Sequence, residues 1–416
     1  MNQIIGRRAA LGGGLAAVAA TTGMSRRSRA AQGQPVRIGV LTDMTGTYAA
    51  ITGPGSVLGA QLAIEDFAIT HPQIAVELVS ADMLLKPDVA LSIAGDWFDN
   101  QGVDLLTDLP MSSAAIAVGE MAKAKDKLAI FTGAASSILT GARCGPNHLH
   151  WAYDTWGIPH AIVDSAVKQG GDTWFFITAD YAYGQQLEHD AASFVTAAGG
   201  KVVGSARYPF PGTTDFSSFL LSAKASGAKV IGLANGGVDA ENCVKQAAEF
   251  GIMQGGQSVV GVGLLLNDIL SIGLKAAQGV RLAEPYYWDL NDGTRGFGRR
   301  FQARSQVKAM PNSAQAGQYS AVSHYLKAVA AMGPAQAKVS GRATLAEMRK
   351  IPVEDVIYGK SIIREDGRVI HAMYLFEAKS PARSTETWDL VELKGTTPID
   401  RAFRPIDEGG CPMIHA

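Results

Sequence analysis

Three short stretches carry residue types that can hold an anion without a cationic side chain. They are Thr45-Gly46-Thr47-Tyr48, Met111-Ser112-Ser113 and Gly133-Ala134-Ala135-Ser136. Each follows an apolar, strand-like run, at residues 36–41, 105–109 and 128–131. In open α/β sheets, ligands sit beyond the carboxyl ends of strands, at helix N-termini. Free backbone N–H groups and serine hydroxyls at such places can take a carboxylate. The competing reading is that Ser112 and Ser136 only cap helices. Patterns for other chemistries are missing: there is no GxSxG, HExxH, Walker or CxxC motif. Gly261-Val262-Gly263 lacks the third glycine of a dinucleotide loop. His148 and His150 share one face of a strand, but without a nearby third ligand they read as structural. Asp180 and Asp215 fall in turns, with nothing arranged for paired acid catalysis. Asp215 reads as a helix cap. The expectation from these motifs is no catalysis, no cofactor and no metal.

The first thirty residues set the compartment. Arg7-Arg8 precede a bland apolar run at 9–24, followed by Arg26, Arg27, Arg29 and small residues. This is a signal peptide, residues 1–30, with cleavage expected after Ala30. The paired arginines and Leu11 resemble a twin-arginine export signal, although Gly6 and Ala10 depart from the pattern. The run is too short and too weakly apolar to span a membrane. A periplasmic protein follows, which excludes most nucleotide-dependent cytoplasmic chemistry. Cleavage removes five arginines and takes the net charge from −1 to −6. That mildly acidic surface argues against nucleic acid as a partner. The three cysteines are too few for a disulfide framework. Cys243 lies on the apolar stripe of a helix and reads as a buried thiol. Cys144 and Cys411, both in Pro-containing turns, are the pair to join if one disulfide exists.

The elements that would position these residues alternate along the chain. Strand-like runs at 36–41, 74–79, 103–106, 128–131, 174–178, 202–207, 230–234 and 280–283 are separated by helical patterns. In one of these, Val57, Ala60, Ile64, Phe67 and Ala68 recur at the spacing of a core-facing helix face. Such alternation means parallel sheets with helices on both faces. The rhythm breaks near His148–Tyr153, near Glu284–Asp289, and at the hairpin signal Glu365-Asp366-Gly367-Arg368. Three breaks predict two α/β lobes that exchange the chain three times. The expected division is 35–152 plus 286–366 for the first lobe, and 153–285 plus 367–416 for the second. The tail from about residue 381 holds four prolines and is expected to be irregular.

Val36-Arg37-Ile38-Gly39-Val40-Leu41-Thr42-Asp43-Met44-Thr45-Gly46-Thr47-Tyr48-Ala49 resembles the opening of periplasmic Leu/Ile/Val-type solute-binding proteins. Ile130–Ser136, Asp180-Tyr181-Ala182-Tyr183-Gly184, Thr214-Asp215-Phe216, Ala248-Glu249-Phe250-Gly251 and Gly317–Ala321 agree in order and spacing. The likeness covers residues 35–380. It implies a type I periplasmic binding fold: two doubly wound parallel-sheet lobes joined by three crossovers. It also implies ligand capture between the lobes by hinge closure, then delivery to the permease and ATPase subunits of an ABC importer. By that resemblance, Ser112 or Ser113 and the stretch Ala134 to Ser136 receive a ligand carboxylate. Tyr48 and Tyr183 match cleft-lining aromatics, with Tyr181 the alternative to Tyr183. Asn235 sits where the family offers an aromatic. Tyr153 and Trp151 lie at the first crossover. Tyr286, Tyr287 and Trp288 cluster at the second, and one of them, Tyr286 foremost, is expected to line the cleft.

One departure bears on the ligand. Amino-acid binders of this family hold the ligand's ammonium with a carboxylate from the second lobe. The corresponding stretch, Val260-Gly261-Val262-Gly263-Leu264-Leu265, contains no acid. An ammonium without a counter-charge in a closed cleft would be costly. Asp268 lies close enough to be a substitute. The expectation is therefore a small organic carboxylate: an aromatic, fatty, dicarboxylic, hydroxy or oxo acid. The alternatives are a branched-chain or other amino acid, or a ligand sensor acting through a signalling partner. A monomer is expected.

Overall fold

The computed structural model describes residues 34–414. The expected signal peptide, residues 1–30, lies outside the described residues. Among the described residues no helix is long and apolar enough to cross a membrane.

Two sheets organise the chain. The first contains β1 (Val36–Thr42), β2 (Val76–Asp82), β3 (Leu105–Asp108), β4 (Leu128–Phe131) and β5 (His148–His150). Its order is β2-β1-β3-β4-β5, and every pair is parallel. The second sheet holds β6 (Thr173–Ala179), β7 (Lys201–Tyr208), β8 (Val230–Ala234), β9 (Ser258–Gly261) and β10 (Arg281–Glu284). A small sheet of β11 (Val353–Asp355), β12 (Gly359–Ile363) and β13 (Val369–Ile370) follows in the chain. The chain then returns to the second sheet as β14 (Met373–Ala378) and β15 (Val391–Thr397), giving the order β15-β14-β10-β9-β8-β6-β7. Strands buried on both faces, such as β4 and β8, are apolar throughout, as helix-covered parallel sheets require. The helix Gly53–Thr70 starts with proline in its first turn and buries Ala60, Ala63, Ile64 and Phe67. It packs against the long helix Ser313–Met332, whose Val322, Tyr325, Leu326 and Val329 join the same core as Val36, Ile38 and Val40.

Several expectations shift. The strands expected at 74–79 and 103–106 begin two residues later, because apolar character continues through the turns that precede the ladders. Val103, for instance, donates its N–H to Trp97 O within a turn, and pairing with β1 starts at Leu105. The tail is not wholly irregular: β15 pairs antiparallel with β14. Its charged residues, Glu392 and Lys394, hid that strand in the sequence and suit an exposed edge. The expected boundary between 366 and 367 cuts a hairpin. Val369 pairs with Ile363 and packs in the first lobe's core. The end of the tail also leaves the second lobe, since Cys411 is bonded to Cys144 with Cα atoms 5.6 Å apart. Cys243 is a buried free thiol.

Buried polar groups fix the ends of the strands. Glu284, at the end of β10, accepts from Leu266 N (2.6 Å), from Ser313 N (3.1 Å) and from the Ser313 hydroxyl (2.6 Å). One carboxyl thus satisfies the N-termini of two helices, Leu266–Ile272 beside the second sheet and Ser313–Met332 on the first lobe. At the end of β3, Asp108 and Leu109 are left-handed, with φ of 84° and 56°. Such residues cost on the order of 1–3 kcal/mol each and persist only when their surroundings hold them. Here a polar cluster does so: Thr132 donates to Asp108 Oδ1 (3.1 Å) and to Gln318 Oε1 (2.7 Å). Asp108 Oδ2 has no partner.

Burial, with the Asp43 charge nearby, pushes the Asp108 carboxyl up to about 7. The unfolded chain loses that proton near the ordinary carboxylate value, so the folded state binds more protons in the interval between. Asp108's contribution to stability is therefore greatest below the ordinary value and declines as pH rises towards 7. Asp108→Asn removes the titration. Urea unfolding is expected to show the variant gaining stability over the parent at about pH 8 and little at about pH 4. Equal differences at both values would mean that folding does not raise the Asp108 carboxyl above its ordinary value.

Candidate functional site

The carboxyl ends of both sheets face one another across a small cavity. Its walls are Tyr48, Ile51, Pro110, Gly133, Ala135 and Tyr153 on one side, and Tyr181, Tyr183, Gly236, Gly263 and Leu265 on the other. No lining residue carries a charge. The lobes are closed over it: Tyr48 and Tyr181 share a hydroxyl hydrogen bond of 2.6 Å, and Val238 N donates to Thr47 O at 3.2 Å. The enclosed space is about 20 Å³, room for roughly one water. A ring-sized guest needs the lobes to part or tyrosines to swing.

Local chemistry places Tyr48. Asp43, just past β1, accepts from Gly46 N (2.7 Å) and Tyr48 N (2.8 Å) and folds the loop into a tight turn. Asn312, the N-cap of the helix Ser313–Met332, accepts from Ala314 N and Gln315 N and donates to Ile51 O (3.0 Å). Gln315 Nε2 donates to Ala50 O (3.0 Å). The helix cap and the tyrosine loop are thereby one unit. Burial raises the phenols of Tyr48, Tyr153, Tyr181 and Tyr183 above their ordinary value. All four remain neutral hydrogen-bonding groups at physiological pH.

The serine stretches lie directly behind this wall. Ser112 opens the helix Ser112–Lys125, and its hydroxyl accepts from Ser136 N at 3.2 Å. The hydroxyls of Ser113 and Ser136 are buried without a partner. Ala134 itself is fully buried, and His150 Nε2 donates to its carbonyl at 2.7 Å. His148 does the same for Leu139 O at 2.9 Å. Burial and the nearby Arg368 charge hold His150 down to about 3, so it is a neutral donor. The two histidines brace the turn after β4. Among the described residues there is no group of three or more His, Cys, Asp or Glu that could hold a metal.

Of the residues singled out in the sequence, Tyr48, Tyr153 and Tyr183 line the cavity; Tyr181, given as an alternative, lines it too. Ser112, Ser113, Ala134 and Ser136 stand one or a few residues from the lining positions Pro110, Gly133 and Ala135. None of these four lines the cavity itself, and neither do Tyr286 and Asn235. Tyr286 packs in the second core against Phe297 and donates to Thr294 O (3.4 Å). It follows Glu284, whose ties to both helices turn the chain away from the cleft. Asn235 is buried and donates to Cys243 Sγ (3.5 Å), while only the next residue, Gly236, lines the cavity. Asp268 is fully buried behind Leu265, accepts from Leu265 N (2.8 Å), and leaves Oδ1 unpartnered. Burial and two neighbouring acids, Glu241 and Glu284, push its carboxyl far up.

The sequence reading missed the glycines. A Cβ on Gly263 would stand 2.1 Å from Asn235 O and 2.2 Å from the Tyr183 hydroxyl. A Cβ on Gly236 would stand 2.9 Å from Gly263 O. The second lobe therefore offers bare backbone on which Tyr183 lies. The signal is the Gly236-Gly237 and Gly261-Val262-Gly263 turns after β8 and β9, the second of which reads in sequence only as an incomplete dinucleotide loop.

A family model for periplasmic binding proteins matches residues 35–384. No curated protein sequence matches the chain. Among solved structures, a periplasmic binding protein from Burkholderia mallei is 40% identical with a TM-score of 0.86, over 91% of this chain and 99% of that one. A branched-chain amino-acid ABC transporter periplasmic ligand-binding protein from Burkholderia xenovorans is also 40% identical, with a TM-score of 0.79 and coverage of 91% and 99%. A Rhodopseudomonas palustris solute-binding protein in complex with benzoate is similar in fold, at 21% identity and a TM-score of 0.79, over 91% and 100%. Fold, closed interlobe cleft and sequence likeness agree: the chain belongs to the periplasmic solute-binding proteins of ABC transporters, which are non-enzymatic transport components.

Proposed function

We propose that this protein captures a small organic acid lacking an amine, an aromatic carboxylate first among them, and presents it to an ABC permease and its ATPase. The observation that carries this reading is the cavity wall itself: four tyrosines, Ile51, Pro110 and Leu265, with no charged side chain. Tyrosine faces suit a flat apolar body. The unpartnered hydroxyls of Ser113 and Ser136, beside the helix N-terminus at Ser112, suit the carboxylate. Closure would be a hinge movement, stabilised by whatever contacts the ligand makes only in the closed form. Residues 1–30 would act as a twin-arginine-type export signal, and the exported protein would work as a monomer.

A second reading, an amino-acid ligand, is favoured by the unpartnered Asp268 Oδ1 behind Leu265. An incoming ammonium would ionise that carboxyl. It would have to displace Leu265 to reach it.

A thermal-shift screen separates the two. Stabilisation is expected from benzoates and related amine-free acids, rising with the ratio of free ligand to its dissociation constant. Hits confined to amino acids would overturn the first reading in favour of the Asp268 site. With a hit in hand, Ser136→Ala is expected to weaken binding by about 1–2 kcal/mol, read by calorimetry. Unchanged affinity would put the carboxylate elsewhere. Gly263→Ala is expected to abolish binding, because the added methyl displaces Tyr183 into the cleft. A variant that still binds at parental affinity would remove Tyr183 from the wall.

A further inference from the structure

Three crossovers account for the family fold, but the chain passes between the lobes once more. β15 belongs to the second sheet. After it, Arg401 N closes a turn on Pro398 O. Ala402 and Phe403 then bury themselves against Gly157, at the start of the second-lobe helix Gly157–Lys168. Phe403 also meets the other crossings. The Arg368 guanidinium lies over its ring at 3.8 Å, and His371 packs edge-on at 5.0 Å. Arg368 in turn donates to His150 O (3.3 Å) and Ala152 O and pairs with Asp154 (3.5 Å), so the first and third crossovers meet on this guanidinium.

The chain then reaches the first lobe. Arg364 Nη1 donates to Arg404 O (2.7 Å), and Arg404 Nη2 donates to Ser137 O (2.9 Å). The fit there is close: a Cβ on Gly141 would stand 2.6 Å from Gly409 O and 2.7 Å from Arg404 Nη2. Cys411 finally bonds to Cys144, a few residues past that turn.

We propose that residues 398–411 are a fourth interlobe connection, closed covalently by the Cys144–Cys411 bond, and that Arg404 positions the turn Ser136–Thr140 from behind. A free tail could follow either lobe. This one is fixed to the second lobe by β15 and to the first by a covalent bond, so it limits how far the lobes part. The positioning role of Arg404 matters for ligand capture only through the reading of Ser136 given above; the restraint on the lobes is independent of any ligand.

The test uses the ligand-free exported chain with non-cysteine labels at Ile69 and Leu221, exposed positions on the first and second lobes. Interlobe distance distributions are compared for the parent, for the Cys144→Ser/Cys411→Ser double variant, and for Arg404→Ala with the disulfide intact. The double variant is expected to gain a longer-distance component. Arg404→Ala is expected to speed amide exchange in residues 133–141 while the rest of the chain keeps parental rates. An unaltered distribution in a folded double variant overturns the strap. Exchange in Arg404→Ala that is unchanged, or raised evenly over the whole chain, overturns the positioning role. Should the double variant not fold, the parent's distance distribution before and after reduction of the Cys144–Cys411 bond decides, with an unchanged distribution overturning the strap. None of these readouts requires the ligand to be an organic acid.

Discussion

One buried carboxyl ties together a helix end from each lobe. Glu284 ends the last parallel strand of the second sheet and takes hydrogen bonds from the N-termini of one helix in each lobe. The first orphan N–H groups of a helix need an acceptor, and a buried pair of helix ends needs it most. Burial pushes this carboxyl up to about 7, its hydrogen bonds pulling the other way. The helix Ser313–Met332 is seated by that contact. Its cap, Asn312, and Gln315 hold the backbone of Ala50 and Ile51, and through it the loop that carries Tyr48. A cleft wall in the first lobe thus depends on an acid in the second.

The cleft is built by opposing large rings to bare backbone. Tyr48, Tyr153, Tyr181 and Tyr183 supply bulk and hydroxyls, while Gly133, Gly236 and Gly263 supply close approach. Gly237 takes a φ of +58° where Val238 N meets Thr47 O across the cleft. A Cβ on Gly237 would meet Thr47 O and hold the lobes apart, whereas at Gly133, Gly236 and Gly263 it would clash within its own lobe. The acids near the site, Asp108, Asp268 and Glu284, all sit behind the wall, where burial favours their neutral forms. An anion in the cleft then meets polar hydrogen-bonding groups instead of negative charge.

Sequence alone determined the class of fold, because strand and helix periodicities are local and the alternation of apolar runs admits few topologies. The family resemblance named Tyr48, Tyr153 and Tyr183, which line the cavity, while the sequence left open whether Cys144 and Cys411 join. Only the tertiary structure decided which way side chains face at the crossovers. Asn235 adjoins the lining residue Gly236 yet turns its amide to Cys243, and Tyr286 packs in the second core. Only the structure showed that Glu392 and Lys394 lie on an edge strand, that Gly263 makes room for Tyr183, and that the tail returns to the first lobe. Local pattern carries the period of burial along one element. Direction across a cleft depends on contacts between residues hundreds of positions apart, such as Asn312 with Ile51 or Arg404 with Ser137, and no window of sequence contains both partners.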